Sequence, residues 1–225
     1  MNLKGLSSAL SGDELLDSFR KVYVTDEFSR KQYERYIKAA EDFEEYFGSG
    51  DRELSLFSAP GRSEICGNHT DHNNGCVLAA GISLDVIAVA SKNDTHTVNI
   101  KSYGYEMDTV DCGDLEVNPS DTGKSRSLVR GIMARFQELG YNIGGFDATT
   151  RSQVLSGSGL SSSAAFEVLV GTMLNHFYND GKISPVEIAQ IAQYAENVHF
   201  GKPCGLLDQT ACSVGGFVEI DFKNP

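Results

Sequence analysis

The 225-residue sequence is short of positive charge and of paired cysteines, and it has no long apolar run. Lys and Arg number 19 against 31 Asp and Glu, a net charge of -12. So acidic a surface repels phosphate backbones and anionic lipid, which makes nucleic acid and membranes poor partners. A phosphorylated ligand would have to be held by local donors, a metal or a few placed cations. The five cysteines (Cys66, Cys76, Cys112, Cys204, Cys212) are odd in number and form no Cys-x-x-Cys pair. That excludes a disulfide framework and a zinc site, and points to free thiols in a reducing cytosol. No stretch approaches the roughly 18 apolar residues of a membrane span, and the first residues lack the apolar core of a signal peptide. A cytoplasmic protein acting on small molecules is the expectation.

What the sequence does have is glycine and serine in one place: Ser156-Gly157-Ser158-Gly159-Leu160-Ser161-Ser162-Ser163-Ala164-Ala165. An extended run, Phe146 to Leu155, leads into it, and a helical apolar pattern, Ala164 to Phe177, leads out. Glycines let a backbone turn tightly and approach a ligand. Serines at a helix start stand where unpaired N–H groups and the dipole favour an anion. The stretch therefore reads as a phosphate cradle, with a serine-capped βα turn as the plain alternative. No Gly-Lys-Ser/Thr closes the loop, so it is not a Walker loop, and its glycine spacing is not the dinucleotide fingerprint.

Along the chain, residues 1–50 look helical. Ser11 and Glu14 are spaced as a capping box before Leu15, Leu16 and Phe19. A second helix carries Phe28, Tyr36, Ile37, Ala40, Phe43 and Phe47 and ends at Gly48-Ser49-Gly50. From Asp51 the texture turns to strands. Leu54 to Ser58 alternates until Pro60-Gly61, which is expected to break the run. Val77–Ala80 and Asp85–Ser91 read as short strands, and Thr97–Lys101 as a half-solvated one hairpinned to its predecessor at Asn93-Asp94. Helices are expected over Ser125–Leu139 and from Ser184-Pro185 to Gly201. A last strand is expected over Ser213–Phe222, entered by a bulge at Gly215-Gly216. Interleaved strands and helices make the fold class α/β (α+β).

Two further clusters carry chemistry. Ala59-Pro60-Gly61-Arg62 runs on to Gly67-Asn68-His69-Thr70-Asp71-His72-Asn73, a polar loop of mixed donors and acceptors. His69, Asp71 and His72 invite a metal, but adjacent loop residues rarely converge on one ion. Hydroxyl-rich ligands call for this mixture, and a solvated turn is the plain alternative. In Gly201-Lys202-Pro203-Cys204-Gly205-Leu206-Leu207-Asp208-Gln209, Asp208 lies among apolar residues. It is either a helix cap or a carboxylate paired with a cation. Glu196 is an exposed helix glutamate or, beside a phosphate loop, a Mg²⁺ ligand.

Taken together these stretches resemble the galactokinase branch of the GHMP kinases. The first cluster is similar to the galactokinase signature and Gly157–Ala164 to the family's ATP phosphate loop. Gly205-Leu206-Leu207-Asp208-Gln209 is similar to its Gly-x-x-Asp-Gln stretch, and Ser127-Leu128-Val129-Arg130-Gly131 to another family segment. The resemblance implies a two-layer sandwich of the GHMP kinase N-terminal type, ribosomal protein S5 domain 2-like, over residues 51–225. Residues 1–50 would be a helical extension, and a C-terminal domain would complete the protein. It further implies ATP-dependent phosphorylation of galactose at its anomeric hydroxyl. Arg62 and Asp208 would flank that hydroxyl. Asn68, His69, Asp71 and the Gly205 backbone would bind the sugar. Gly157, Ser158, Gly159, Leu160, Ser161, Ser162, Ser163 and Ala164 would hold ATP phosphates, and Ser163 and Glu196 would hold Mg²⁺. The signature carries Glu where this sequence has Asn68, so hydroxyl pairing there must differ. A kinase for another sugar of the branch and a catalytically silent sugar and ATP sensor stay open beside it. Oligomeric state is not legible.

Overall fold

The computed structural model describes residues 3–48 and 52–223. Helices α1 (Leu3–Ser11), α2 (Leu16–Tyr23) and α3 (Asp26–Phe47) precede strand β1 (Ser55–Cys66) and strand β2 (Cys76–Lys92). Strands β3 (Thr97–Ser102) and β4 (Met107–Asp111) follow, then helix α4 (Ser125–Glu138) and strand β5 (Phe146–Ser152). Helices α5 (Ser162–Tyr178), α6 (Pro185–Tyr194) and α7 (Leu207–Val214) lead to strand β6 (Phe217–Asp221).

The sheet order is β1-β2-β5-β3-β4, with β6 added beside the first part of β2. All pairs are antiparallel except β3 with β5. Alternation along the strands sorts the core. Phe57, Ala59, Val86, Ala88 and Ala90 face the layer formed by α4–α7. Ile87 and Val89 face α1–α3, where Leu10, Phe19, Tyr36 and Phe43 are buried. The mixed α/β architecture expected from the interleaved signals is the one that forms.

Several local expectations give way. Pro60-Gly61 does not break β1. The strand is at the sheet edge, where a missing N–H is tolerated, and it absorbs the proline by a register slip between Pro60 and Arg62. The two short pieces, Val77–Ala80 and Asp85–Ser91, are one 17-residue strand, β2. No hairpin joins β2 to β3, because β5 lies between them, bonded to both. Asn93 instead donates to the Asp147 carboxylate of β5 (2.8 Å). The Ser11–Glu14 capping box is not used: Ser11 closes α1, and α2 starts after Leu15 with no side-chain cap. Of the stop after α3, Gly48 caps the helix at φ 83°, and Ser49 and Gly50 lie outside the described residues. Residues 213 and 214 belong to α7, so the last strand begins at Phe217 rather than Ser213.

The N-terminal helices are latched to the sheet by polar groups as well as packing. Asp85, buried in mid-β2, accepts from Tyr23 Oη (2.6 Å), Ser58 Oγ (2.6 Å) and Arg35 Nη1 (2.6 Å). Arg151 of β5 pairs with both oxygens of Asp42 (2.8 and 3.0 Å). Thr149 Oγ1 donates to the Ala39 carbonyl (2.6 Å). Removing the shared acceptor takes the charged partner from the part-buried Arg35 guanidinium and an acceptor from the Tyr23 and Ser58 hydroxyls. Asp85→Ala should therefore cost about 3–5 kcal/mol in denaturant unfolding. A loss below about 1 kcal/mol, the scale of an exposed pair, would show the network to be screened by solvent.

Candidate functional site

The register slip in β1 builds the site. Ala59 faces the α4–α7 layer, so strict alternation would send Arg62 to the opposite face. One slipped position turns Arg62 towards the start of α7 instead. Its side chain is 8% exposed and makes an ion pair with Asp208, 34% exposed, at 2.6 Å from Nη2 to Oδ1. Nε donates to the same oxygen (2.7 Å), and Nη1 to the Gly159 carbonyl (2.7 Å). The Arg62 N–H also bonds the Leu160 carbonyl (3.2 Å). Asp208 is the second residue of α7, so of the two sequence readings the paired carboxylate is the one that forms.

The loop held by Arg62 is the Gly/Ser-rich one. Gly157 and Gly159 both have φ 76°, and a Cβ on either would meet open space. Their requirement is conformational. Gly61 is different. A Cβ there would lie 2.7 Å from the Leu160 carbonyl oxygen, so only glycine lets the loop rest on β1. Ser161, left-handed at φ 61°, is the N-cap of α5 but does not cap it with its side chain. Its hydroxyl donates to Asp208 Oδ2 (2.6 Å). The first turn of α5 has no acidic residue, and the loop from Ser156 to Gly159 is exposed. An exposed glycine turn, hydroxyls and an uncompensated helix start together suit an anion.

Behind the loop, Glu196 is buried rather than exposed. A wide π-turn, Ala195–Phe200, continues α6 and carries it inward. Gly131 of α4 lets that turn come close, since a Cβ there would fall 2.8 Å from Ala195 Cα. Glu196 Oε1 accepts from Ser163 Oγ (3.2 Å) and Lys202 Nζ (3.1 Å), and Oε2 from Gln209 Nε2 (2.7 Å). Gln209 Nε2 also donates to Glu167 Oε2 (3.1 Å). Glu167 is fully buried, with Oε1 unpartnered. Burial, and then the neighbouring Glu196 charge, push the Glu167 carboxyl well above the ordinary carboxylate range. Bonding to Glu196 raises the Lys202 ammonium above its ordinary value. The sequence pointed to Ser163 and Glu196, held Lys202 and Gln209 inside the Gly201–Gln209 cluster without a role, and gave no sign of Glu167. Glu167 hides in the apolar pattern of α5, where its spacing gives no sign of a polar neighbour.

One hydroxyl and one carboxylate beside a glycine- and serine-rich loop fit Mg²⁺, which takes few protein ligands and completes its sphere with phosphate and water. Among the described residues no group of three or more His, Cys, Asp or Glu could hold a metal unaided.

Asn68, His69 and Asp71 of the first cluster sit on the loop between β1 and β2. Asn68 (φ 55°) and His69 (φ 50°) are left-handed, ahead of a single turn at Thr70–Asn73. Asp71 Oδ2 accepts from the Leu207 N–H at the start of α7 (3.3 Å). A Cβ at Gly205 would lie 1.8 Å from that oxygen, so the glycine makes room for Asp71. His69 Nε2 lies 3.3 Å from Arg62 Nη2 and 3.9 Å from Asp208 Oδ1. Arg62, His69, Asp71, Gly205 and Asp208 are thus contiguous, with Ser161 linking them to the loop and Ser163 to Glu196. Asn68 is exposed beside them.

Residues 127–216 match the GHMP kinases N terminal domain, and residues 41–92 match the galactokinase galactose-binding signature. Residues 127–216 thus belong to a GHMP kinase N-terminal domain. Among relatives of the chain, the galactokinase of Streptomyces coelicolor is 32% identical over 187 residues, 82% of this chain and 48% of that protein. The galactokinase of Clostridium tetani is 30% identical over 179 residues, 77% of this chain and 44% of that protein. The crystal structure of Lactococcus lactis galactokinase complexed with galactose superposes with a TM-score of 0.75 at 30% identity. That likeness covers 82% of this chain and 48% of that one. The chain spans about half the length of the curated relatives it matches. Arg62, His69 and Asp71 fall inside the galactose-binding signature. The serine loop, Glu196 and Asp208 fall inside the GHMP domain.

The raised Glu167 carboxyl has a consequence for stability. In the unfolded chain it loses its proton near its ordinary pKa of 4.5, whereas the fold retains it. Its contribution is complete below that pH and is lost as pH rises towards the raised native value. Glu167→Gln removes the titration and keeps a group able to donate. The variant should unfold at a similar temperature to the parent near pH 4.5 and at a higher one at pH 8. The gap should be roughly 2–4 °C for each kcal/mol. Parallel pH profiles for the two proteins would show that the fold holds no proton on Glu167.

Proposed function

We propose that the whole protein transfers the terminal phosphoryl group of ATP to the anomeric hydroxyl of galactose, giving galactose 1-phosphate in galactose metabolism. The observation that carries the reading is the Arg62–Asp208 pair, set between the loop at Gly159–Ser161 and the His69–Asp71 loop. Phosphoryl transfer asks a protein mainly for alignment and charge neutralisation. Loop N–H groups and the serine hydroxyls from Gly157 to Ala164 would receive the ATP phosphates at the start of α5. Arg62, already aimed at the loop, would stabilise charge between donor phosphate and acceptor oxygen. His69, Asp71, the Gly205 backbone and Asn68 would hold the sugar hydroxyls. Mg²⁺, held by Ser163 and Glu196, would neutralise charge on the β- and γ-phosphates.

Asp208 is the part-exposed carboxylate facing the acceptor. Both its oxygens already receive hydrogen bonds, from Arg62 and Ser161. Held from both sides, the carboxylate is fixed in place, so it would orient the hydroxyl at least as much as deprotonate it. A cytoplasmic location, where ATP and free thiols coexist, fits this activity. Asn68 supports a second reading, a kinase for a related sugar, because an amide both donates and accepts where a carboxylate only accepts.

The test is sugar-dependent ADP release by the full-length protein over a panel of sugars that includes galactose. Release with galactose supports the first reading and release with another sugar alone the second. Binding of ATP and sugar without release would make the protein a sensor. In the same assay Asp208→Ala should lower kcat by roughly 10²–10⁴, and Asp208→Asn, which keeps an oxygen in place, by less. Near-parental kcat in both would remove Asp208 from the mechanism.

A further inference from the structure

We infer that Glu64 is a positioning residue that fixes the ring of His69 in one tautomer, so that its Nε2 faces the sugar site as an acceptor. This rests on the reading of His69 as a sugar-binding residue. Glu64 follows Arg62 by two positions on the same strand and, past the register slip, points to the same side. Its carboxylate, 13% exposed, takes two donors from one residue. Oε1 accepts from the His69 main-chain N–H (2.9 Å), and Oε2 bonds ring Nδ1.

The other end of the ring favours the same proton position, through a longer contact. His69 Nε2 lies 3.3 Å from Arg62 Nη2, and a guanidinium has only hydrogens to offer. Nε2 must therefore present its lone pair, which puts the proton on Nδ1, where Glu64, an acceptor only, receives it. Both neighbours select the same tautomer. The left-handed backbone at His69 is held by the same carboxylate, through the main-chain bond. Nδ1 is thereby withdrawn from ligand binding, and a sugar hydroxyl meeting this ring must donate to Nε2 in place of the Arg62 guanidinium. Asp71 and Asp208 are also acceptors, so Arg62 and the exposed Asn68 become the donors on this side of the site. A ligand group that can only accept would find few partners there.

The experiment is ¹⁵N NMR of the histidine rings in the full-length protein without substrate, with the His69 signal assigned by its loss in His69→Asn. The parent should show protonated Nδ1 and a lone pair at Nε2. Glu64→Ala should lose that preference, and its sugar KM should rise roughly tenfold with a smaller change in kcat. Glu64→Gln, whose single amide oxygen can accept from Nδ1 but whose NH2 cannot accept the main-chain N–H, should restore the tautomer and only part of the KM. An unchanged tautomer in Glu64→Ala, or a parent ring protonated at Nε2, overturns the inference. The NMR result needs no sugar, so it stands apart from any failure to find turnover with galactose.

Discussion

One guanidinium joins parts of the chain that are far apart in sequence. Arg62 meets Asp208 at 146 positions' separation and Gly159 at 97, and it also faces His69 on its own loop. A planar fork can do this because its donors diverge in fixed directions. Each partner is an acceptor, so the arrangement is satisfied only when β1, the serine loop and the start of α7 stand where they do. The charge that completes the fold here is also the charge the site would present to a ligand. A largely buried arginine paired to a part-exposed aspartate leaves the carboxylate open on one side.

The second constraint is negative charge kept behind the loop. Glu196 and Glu167 share the amide of Gln209. Two carboxylates at such depth cannot both ionise cheaply, and the deeper one, Glu167, retains its proton. Lys202 and Ser163 serve Glu196 from the other side. The Glu196 carboxylate is thus turned towards the loop and that of Glu167 towards the core. The π-turn that carries Glu196 is of the kind that often marks functional sites in helices, and close packing at Gly131 keeps it in place.

The far face of the sheet supports this without entering it. Asp85 gathers Tyr23, Ser58 and Arg35, while the next residues of β2 alternate between the two cores. β2 is the common neighbour of β1, β5 and β6. Displacement of its register would move both the His69–Asp71 loop, at one end, and the latch of α3, in the middle.

By itself the sequence determined which stretches matter and of what kind they are. Gly157–Ala164, the Arg62–His72 cluster and the Gly205–Gln209 stretch were legible because glycine, serine and clustered polar residues carry local requirements that any fold must meet. Helices α3, α4 and α6 were legible for the same reason, from spacing and stop signals. The tertiary structure alone decided that Pro60 would be absorbed at an edge strand and that β5 would part β2 from β3. It also turned Ser161 to Asp208 instead of capping its helix, and brought Glu167 to Glu196. Those outcomes depend on pairing between distant segments and on burial. Neither leaves a periodic mark in the chain, and each is settled only when the competing partners for a strand edge or a buried charge are all in place.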